Sequence, residues 1–102
     1  MRLSEAEKAA IKNIFNKYSD AGVQLYLFGS RVDDSKKGGD IDLLITFIDA
    51  KRVVLFKKLD FLVALKKALG ERKIDITLAA VAEIQHDVFL QLIMQSAVEL
   101  TD

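Results

Sequence analysis

The feature that most constrains the fold is the spacing of three short apolar segments, 23–28, 41–47 and 73–78, each with the pattern of a β-strand. An 11-residue polar loop, 29–39, followed by Asp40 separates the first two, which is short for a parallel crossover and favours an antiparallel pair. A helical segment of roughly 20 residues separates the second from the third, which favours a right-handed parallel crossover. The predicted class is therefore α/β, a small mixed β-sheet flanked by helices in the order α-β-β-α-β-α.

Two segments with helical spacing lie on either side of the first strand pair. Ser4 and Glu7 have the spacing of a capping box and predict a helix over 4–20. Asp49 is expected to cap one long helix over 50–69. The buried stripe of that helix is expected to consist of apolar residues at helical spacing, Leu55, Phe56, Leu59, Leu62, Val63 and Leu69.

A third helix is expected over 86–96, with a short closing strand at 98–100. The apolar residues of this helix form two stripes, which are Phe89, Leu92 and Ile93 on one side and Leu90 and Met94 on the other. The long helix also has apolar residues outside its expected stripe, Val54, Phe61 and Leu65. Because a surface helix needs only one stripe, the surplus indicates either a partner surface or full burial, and both interpretations stay open.

The overall composition restricts the class of protein. The 102 residues suffice for a single domain, 1–102, and the 15 basic side chains balance the 15 acidic ones. A broad nucleic-acid-binding surface normally shows a basic excess, so none is expected, although a local basic patch stays open. The chain has no cysteine and one histidine, His86, so neither thiolate nor histidine-based metal sites are expected. No apolar run reaches the ~20 residues of a membrane span and no signal-peptide pattern is present, so the expected location is the cytoplasm.

Three aspartates are the candidate catalytic and metal-binding residues. Asp40 and Asp42 open the second strand and point the same way, about 6.6 Å apart along it. Two carboxylates at roughly 7 Å repel by about 2 kcal/mol at an effective dielectric near 20, which is unfavourable unless a cation lies between them. Asp75 lies near the start of the third strand and is expected at the same end of the sheet. Since Mg²⁺ prefers oxygen ligands, one or two Mg²⁺ ions are the expected cofactors.

A second group of candidates lies where the first strand ends. Gly29 and Ser30 are expected to form a turn whose backbone N–H groups suit phosphate. Arg31 is open between a phosphate contact and a structural ion pair, and Lys36 and Lys37 are expected in a solvated loop. A metal beside a phosphate-binding turn indicates chemistry on a nucleoside triphosphate such as ATP.

Together these motifs resemble the signature of the nucleotidyltransferase superfamily of DNA polymerase β. That signature is Gly-Ser, a short spacer, Asp-x-Asp, and a third acid on a later strand. The corresponding residues here are Gly29, Ser30 and Arg31, then Asp40, Ile41 and Asp42, then Asp75. In its length and in having little beyond the core, the chain is similar to the minimal nucleotidyltransferases of bacteria and archaea.

The resemblance implies Mg²⁺-dependent transfer of a nucleotidyl group, often AMP from ATP, to an acceptor hydroxyl. Asp40 and Asp42 would hold the ions on the triphosphate, and Asp75 would bind the second ion and help to deprotonate the hydroxyl. Minimal members are commonly antitoxins whose partner is an all-helical HEPN ribonuclease toxin. The resemblance therefore implies a HEPN-type partner, a hetero-oligomer with it, and a toxin tyrosine as the acceptor.

The chain departs from the family pattern beside the Gly-Ser turn. Val32-Asp33-Asp34 stands where the family often has Ala-Arg-Gly, and Gly39 stands where it often has Ser. The Asp33 carboxylate would oppose phosphate binding if it faced the ligand. If it instead capped a helix, its negative charge would stabilise the N-terminus of that helix. Three hypotheses stay open: an active nucleotidyltransferase acting on a partner protein, a binding module that neutralises its partner by contact, and a catalytic subunit that needs another chain to present a small-molecule acceptor.

Overall fold

The computed structural model describes residues 4–20, 22–28, 41–70 and 72–100. Within these ranges the helices and strands follow the predicted order, except that the predicted helix over 50–69 is divided in two and a short helix over 81–84 precedes the predicted helix over 86–96. The elements are α1 Glu5–Tyr18, β1 Gln24–Phe28, β2 Ile41–Phe47, α2 Ala50–Leu55, α3 Lys58–Leu69, β3 Ile74–Ala80, α4 Val81–Ile84, α5 Val88–Ser96 and β4 Val98–Glu99. The predicted α/β class is confirmed. Across the described residues, none of the helices combines the length and the apolar character needed to cross a bilayer.

The four strands form one mixed sheet in the order β3-β2-β1-β4. β1 pairs with β2 in antiparallel fashion, β2 pairs with β3 in parallel, and β4 adds an antiparallel edge to β1. Both strand orientations predicted from the connection lengths are therefore confirmed. The parallel register brings the starts of β2 and β3 to the same end of the sheet, next to the end of β1.

Each face of the sheet carries its own apolar cluster. On one face, residues of α1 and α3 pack against alternating strand residues: Ile11, Phe15, Phe61 and Leu65 against Leu25, Leu27, Ile41, Leu43, Ile45, Phe47, Ile74 and Ile76. On the other face, the buried cluster is smaller and joins α5 to the strands through Leu44, Ala79, Leu90 and Ile93. The alternation of side chains along β2 and β3 therefore divides their residues between two packed layers.

The N-terminus of α1 is fixed to the start of β3. Ser4 and Glu7 form the predicted capping box, with the Ser4 backbone N–H donating to Glu7 Oε1 at 2.9 Å and the Glu7 N–H donating to Ser4 Oγ at 3.1 Å. The Glu7 carboxylate also forms an ion pair with the Arg72 guanidinium, two residues before β3. Mainly the Ser4 backbone hydrogen bond, and also Arg72, holds the pKa of Glu7 below its usual value of 4.5, although burial opposes this.

The prediction of one helix over 50–69 is wrong, because the chain leaves the helical conformation at Phe56. Phe56 has φ −69° and ψ 131°, an extended conformation that ends α2 before α3 begins. Its ring packs edge-on against Phe47 and Phe61, with centroids 5.5 and 5.6 Å apart. Gly70 ends α3 at φ 86° and ψ −158°, a conformation almost restricted to glycine.

This break also corrects the expected apolar stripes. Phe61 and Leu65, assigned to the surplus, are fully buried, whereas Leu55 and Leu59, assigned to the core, are 67% and 71% exposed. Two helices separated by an extended residue do not present one continuous 3.6-residue stripe, so the periodicity of the whole segment assigned the wrong face. Leu62 and Leu69 do pack against the core, as predicted.

The predicted helix over 86–96 is α5, which begins two residues later than expected, and a short helix that was not predicted, α4, precedes it across a turn that contains His86. The Asp87 side chain caps α5 by accepting from the Leu90 N–H at 3.2 Å, which fixes the start of the helix at Val88. His86 lies exposed in this turn, as expected of a surface residue.

Candidate functional site

Asp42 and Asp75 occupy the same register position on neighbouring parallel strands. Asp42, the second residue of β2, is the direct partner of Asp75, the second residue of β3. Adjacent strands lie about 4.8 Å apart, and residues in register on parallel strands project from the same face. Two of the three predicted acids, from chain segments more than 30 residues apart, therefore meet at one edge of the sheet.

The packing of the neighbouring residues fixes which face the two carboxylates occupy. Ile41 and Ile74, which precede them in the same register, are both buried in the cluster with α1 and α3. Since side chains alternate along a strand, Asp42 and Asp75 project from the opposite face. Asp42 is half-buried and Asp75 is exposed. No hydrogen bond or ion pair engages the Asp75 carboxylate among the residues that the structure describes.

Local interactions hold the two strand starts in place. The Ile41 N–H donates to the Lys73 carbonyl at 2.9 Å, so the β2–β3 ladder extends to the very start of both strands. The Glu7–Arg72 ion pair fixes the chain just before β3, and the side chain of Lys66 donates to the Arg72 carbonyl at 3.2 Å. Glu7 and Lys66 belong to α1 and α3, which pack on the face of the sheet opposite Asp42 and Asp75.

Phe28 is a site residue that the sequence argument missed. It is the last residue of β1 and the register partner of Asp42, so the strand row at this edge reads Phe28, Asp42 and Asp75. Phe28 is half-buried and packs against the α5 cluster. An apolar wall on one side of a pair of carboxylates lowers the local dielectric and strengthens their attraction for a cation. The signal that could have found it is its position immediately before the Gly-Ser pair in an antiparallel hairpin.

The chemistry of the two aspartates fits a divalent cation. Carboxylate oxygens are the preferred protein ligands of Mg²⁺, and like charges directly opposite across two strands are destabilising without a counter-ion. The described residues contain no group of three potential metal ligands. Asp40, the third predicted ligand, lies outside those residues, and so do the nucleotide-binding candidates Gly29, Ser30 and Arg31.

The other residues singled out near the Gly-Ser pair are likewise outside the described ranges. They are Val32, Asp33, Asp34, Lys36, Lys37 and Gly39. The phosphate-binding turn and the Asp40–Asp42 pair thus stay predictions. The described part of the site consists of Phe28, Asp42 and Asp75 at one edge of the sheet.

Comparison with known proteins identifies a family whose profile covers the region of the candidate site. The profile of the family described as "Polymerase beta, Nucleotidyltransferase" matches residues 9–102, nearly the whole chain. None of the curated proteins compared with the chain matches it. The matched range contains the described site residues and every candidate residue that the sequence argument assigned to the site.

Proposed function

Since the chain belongs to the polymerase β nucleotidyltransferases, a transferase family, we propose that it transfers a nucleotidyl group, AMP in the first instance, from a nucleoside triphosphate to a hydroxyl of a partner protein. The observation that carries the proposal is the register pairing of Asp42 with Asp75 on one face of the sheet. The bond formed joins the acceptor oxygen to the α-phosphorus, and the bond broken joins that phosphorus to the bridging oxygen of the pyrophosphate. Pyrophosphate leaves with the electron pair of that bond.

Asp42 and Asp75 have different tasks in this proposal. Asp42, half-buried beside Phe28, is suited to hold the metal–triphosphate, together with Asp40 from the segment before β2. Asp75 is exposed and accessible to an incoming acceptor, so it is suited to orient the hydroxyl and to receive its proton. Mg²⁺ bound by these carboxylates would supply charge neutralisation on the phosphates. Gly29, Ser30 and Arg31 are proposed to bind the β- and γ-phosphates.

The acceptor that the proposal names is a tyrosine of an all-helical HEPN-type protein, with this chain as the antitoxin of the pair. Support for this choice comes from the resemblance of the chain to minimal nucleotidyltransferases. A hydroxyl acceptor on a separate protein also suits the exposed position of Asp75 at a sheet edge. The preferred substrate is ATP with Mg²⁺.

The position of the label in ATP tests the reaction. The chain, Mg²⁺ and the product of the neighbouring gene are incubated with ATP labelled either at the α-phosphate or at the γ-phosphate. The proposal predicts label in the partner from the α-position only, with release of pyrophosphate. Label from the γ-position would indicate phosphoryl transfer, and no label from either position would count against an active enzyme.

A second candidate function is favoured by the apolar residues on the outer surface of the helices. Val54, Leu59 and Phe89 are 82%, 71% and 62% exposed, which is typical of a protein that binds another protein. In this alternative the chain neutralises a partner by contact alone. An Asp42→Asn variant would then still protect cells against the partner, whereas the transfer mechanism requires that this variant bind the partner but fail to protect.

A further inference from the structure

Two exposed apolar faces lie on opposite sides of the sheet. The first belongs to α2 and α3, where four aliphatic side chains are exposed: Val54, Leu55, Leu59 and Val63. The second belongs to α4 and α5, where the exposed apolar side chains are Val81, Val88, Phe89 and Leu92. Because α3 packs on one face of the sheet through Phe61 and α5 packs on the other through Leu90, the two surfaces point in opposite directions.

The two segments that carry these faces differ in charge. Over 50–69 the charged residues are six basic and one acidic, Lys51, Arg52, Lys57, Lys58, Lys66 and Lys67 against Asp60. Over 81–96 the charged residues are Glu83 and Asp87, with no Lys or Arg. We name the first surface the basic apolar face and the second the acidic apolar face. Lys57 and Lys58 are both exposed, and so are Glu83 and Asp87.

We propose that these two faces bind each other in separate copies of the chain, so that the basic apolar face of one copy docks on the acidic apolar face of the next. Apolar residues at the centre with opposite charges at the rim are the arrangement of a specific protein interface. The zero net charge of the whole chain removes the long-range repulsion that would oppose such association. This inference goes beyond the proposed function and does not depend on it.

A cleft beside the basic apolar face is the proposed binding site for one side chain of the other copy. Leu55 forms part of its wall, and the other lining residues are Tyr18, Ser19, Asp20, Val23, Phe47, Arg52 and Phe56. Interfaces often centre on an aromatic side chain that fills such a cleft. Phe89 is the one aromatic residue among the exposed apolar side chains of the acidic apolar face in the described chain, so it is the proposed anchor.

The position of the faces determines the kind of assembly. Two copies cannot use both faces on each other, because the faces lie on opposite sides of the sheet. The contact is therefore head-to-tail, and each copy keeps one free face for a further copy. The molecule measures 33 × 28 × 22 Å, so the docked area is small and the association is expected to be weak.

Sedimentation of the full chain tests the proposal. The weight-average mass is expected to rise continuously with concentration beyond that of a dimer. Raising the salt to about 1 M, where the Debye length is ~3 Å, is expected to weaken the association several-fold, because the charged rims are screened. A chain that stays monomeric throughout leaves these faces to another protein and overturns the proposal.

Single-face variants make the test specific. Lys58→Glu with Leu59→Ser alters only the basic apolar face, and Phe89→Ser with Leu92→Ser alters only the acidic apolar face. All four side chains are exposed, so both variants are expected to keep the circular dichroism spectrum of the parent chain. Each variant alone is expected to be monomeric, whereas an equimolar mixture is expected to form a 1:1 complex, since one variant keeps the acidic face and the other keeps the basic face.

A matched control is Val98→Ser, which removes an apolar residue that is 47% exposed on β4, outside both faces. This variant is expected to associate like the parent chain, and so is Asp42→Asn. Failure of the two single-face variants to combine on mixing, or association of either one alone at the parent strength, would contradict the head-to-tail contact.

Discussion

Asp42 and Asp75 are register partners on the parallel strands β2 and β3 and project from the face of the sheet opposite the core formed with α1 and α3. Their proximity depends on the crossover through α2 and α3, which returns the chain to the same end of the sheet. A pair of like charges in this position is unfavourable for folding, and a divalent cation bound between them would offset that cost.

Loss of either carboxylate is expected to abolish transfer with little effect on folding. Asp42→Asn and Asp75→Asn should each lower the rate of nucleotidyl transfer by at least about 100-fold, because each removes charge from the metal–triphosphate site. The rate is measured in single-turnover assays with α-labelled ATP and saturating Mg²⁺. Asp60→Asn, an exposed acid on α3, is the matched control and should retain the parent rate.

The same substitution at Asp75 is expected to stabilise the protein when metal is removed. In the presence of a chelator, Asp75→Asn should raise the free energy of unfolding by up to about 1 kcal/mol, since it relieves the repulsion with Asp42. Urea denaturation measures this change, and Asp60→Asn should shift the same quantity by less than about 0.5 kcal/mol. A clear loss of stability in the Asp75 variant would show that its carboxylate has a structural role.

Acid is expected to weaken the attachment of α1 to β3 through Glu7. The pKa of Glu7 is lowered in the folded protein, by the Ser4 backbone hydrogen bond first and by Arg72. The folded state therefore binds a proton less readily than the unfolded state, so the contribution of Glu7 is complete above its usual pKa of 4.5 and is lost as the pH falls through the lowered value.

Comparison of Glu7→Gln with the parent chain measures this contribution. At pH 7 the parent should be more stable, by about 1 kcal/mol at most because the ion pair is partly exposed, and the difference should be smaller at pH 3 than at pH 7. Glu5→Gln is the control, since the Glu5 side chain is 94% exposed in its ion pair with Lys8. An unchanged difference between the parent and Glu7→Gln at both pH values would contradict this account.

The packing of α3 predicts that alanine substitution of two neighbouring residues changes the free energy of unfolding by very different amounts. Phe61→Ala should lower the free energy of unfolding by about 3–5 kcal/mol, because its ring is fully buried against Phe15 and Phe56. Leu59→Ala should change the same quantity by less than about 0.5 kcal/mol, since Leu59 is exposed. The two substitutions differ in size but share the helix, and thermal or urea denaturation compares them directly.

The topology could be predicted from the sequence because connection length alone restricts strand orientation. An 11-residue loop and a helical crossover gave the antiparallel and parallel pairs that the sheet contains. The convergence of Asp42 with Asp75 followed from that topology without reference to any family.

The helix break at Phe56 could not be predicted in the same way. Local propensity favours a continuous helix over 50–69, and no proline or glycine marks the break. The ring contacts of Phe56 with Phe47 and Phe61 are tertiary contacts, and they move the buried side of α3 from Leu59 to Phe61. The apolar periodicity of the whole 50–69 segment therefore predicted the wrong buried residues, because tertiary packing determines which side of α3 is buried.

Binding of Mn²⁺, a paramagnetic substitute for Mg²⁺, tests most directly whether Asp42 and Asp75 share a divalent cation. In amide nuclear magnetic resonance spectra of the full chain with ATP, the account predicts that Mn²⁺ broadens the signals of Asp42 and Asp75 and their strand neighbours first. The broadening should be lost in Asp42→Asn and retained in Asp60→Asn. Signals of Asp42 and Asp75 that stay sharp while residues elsewhere broaden would contradict the account.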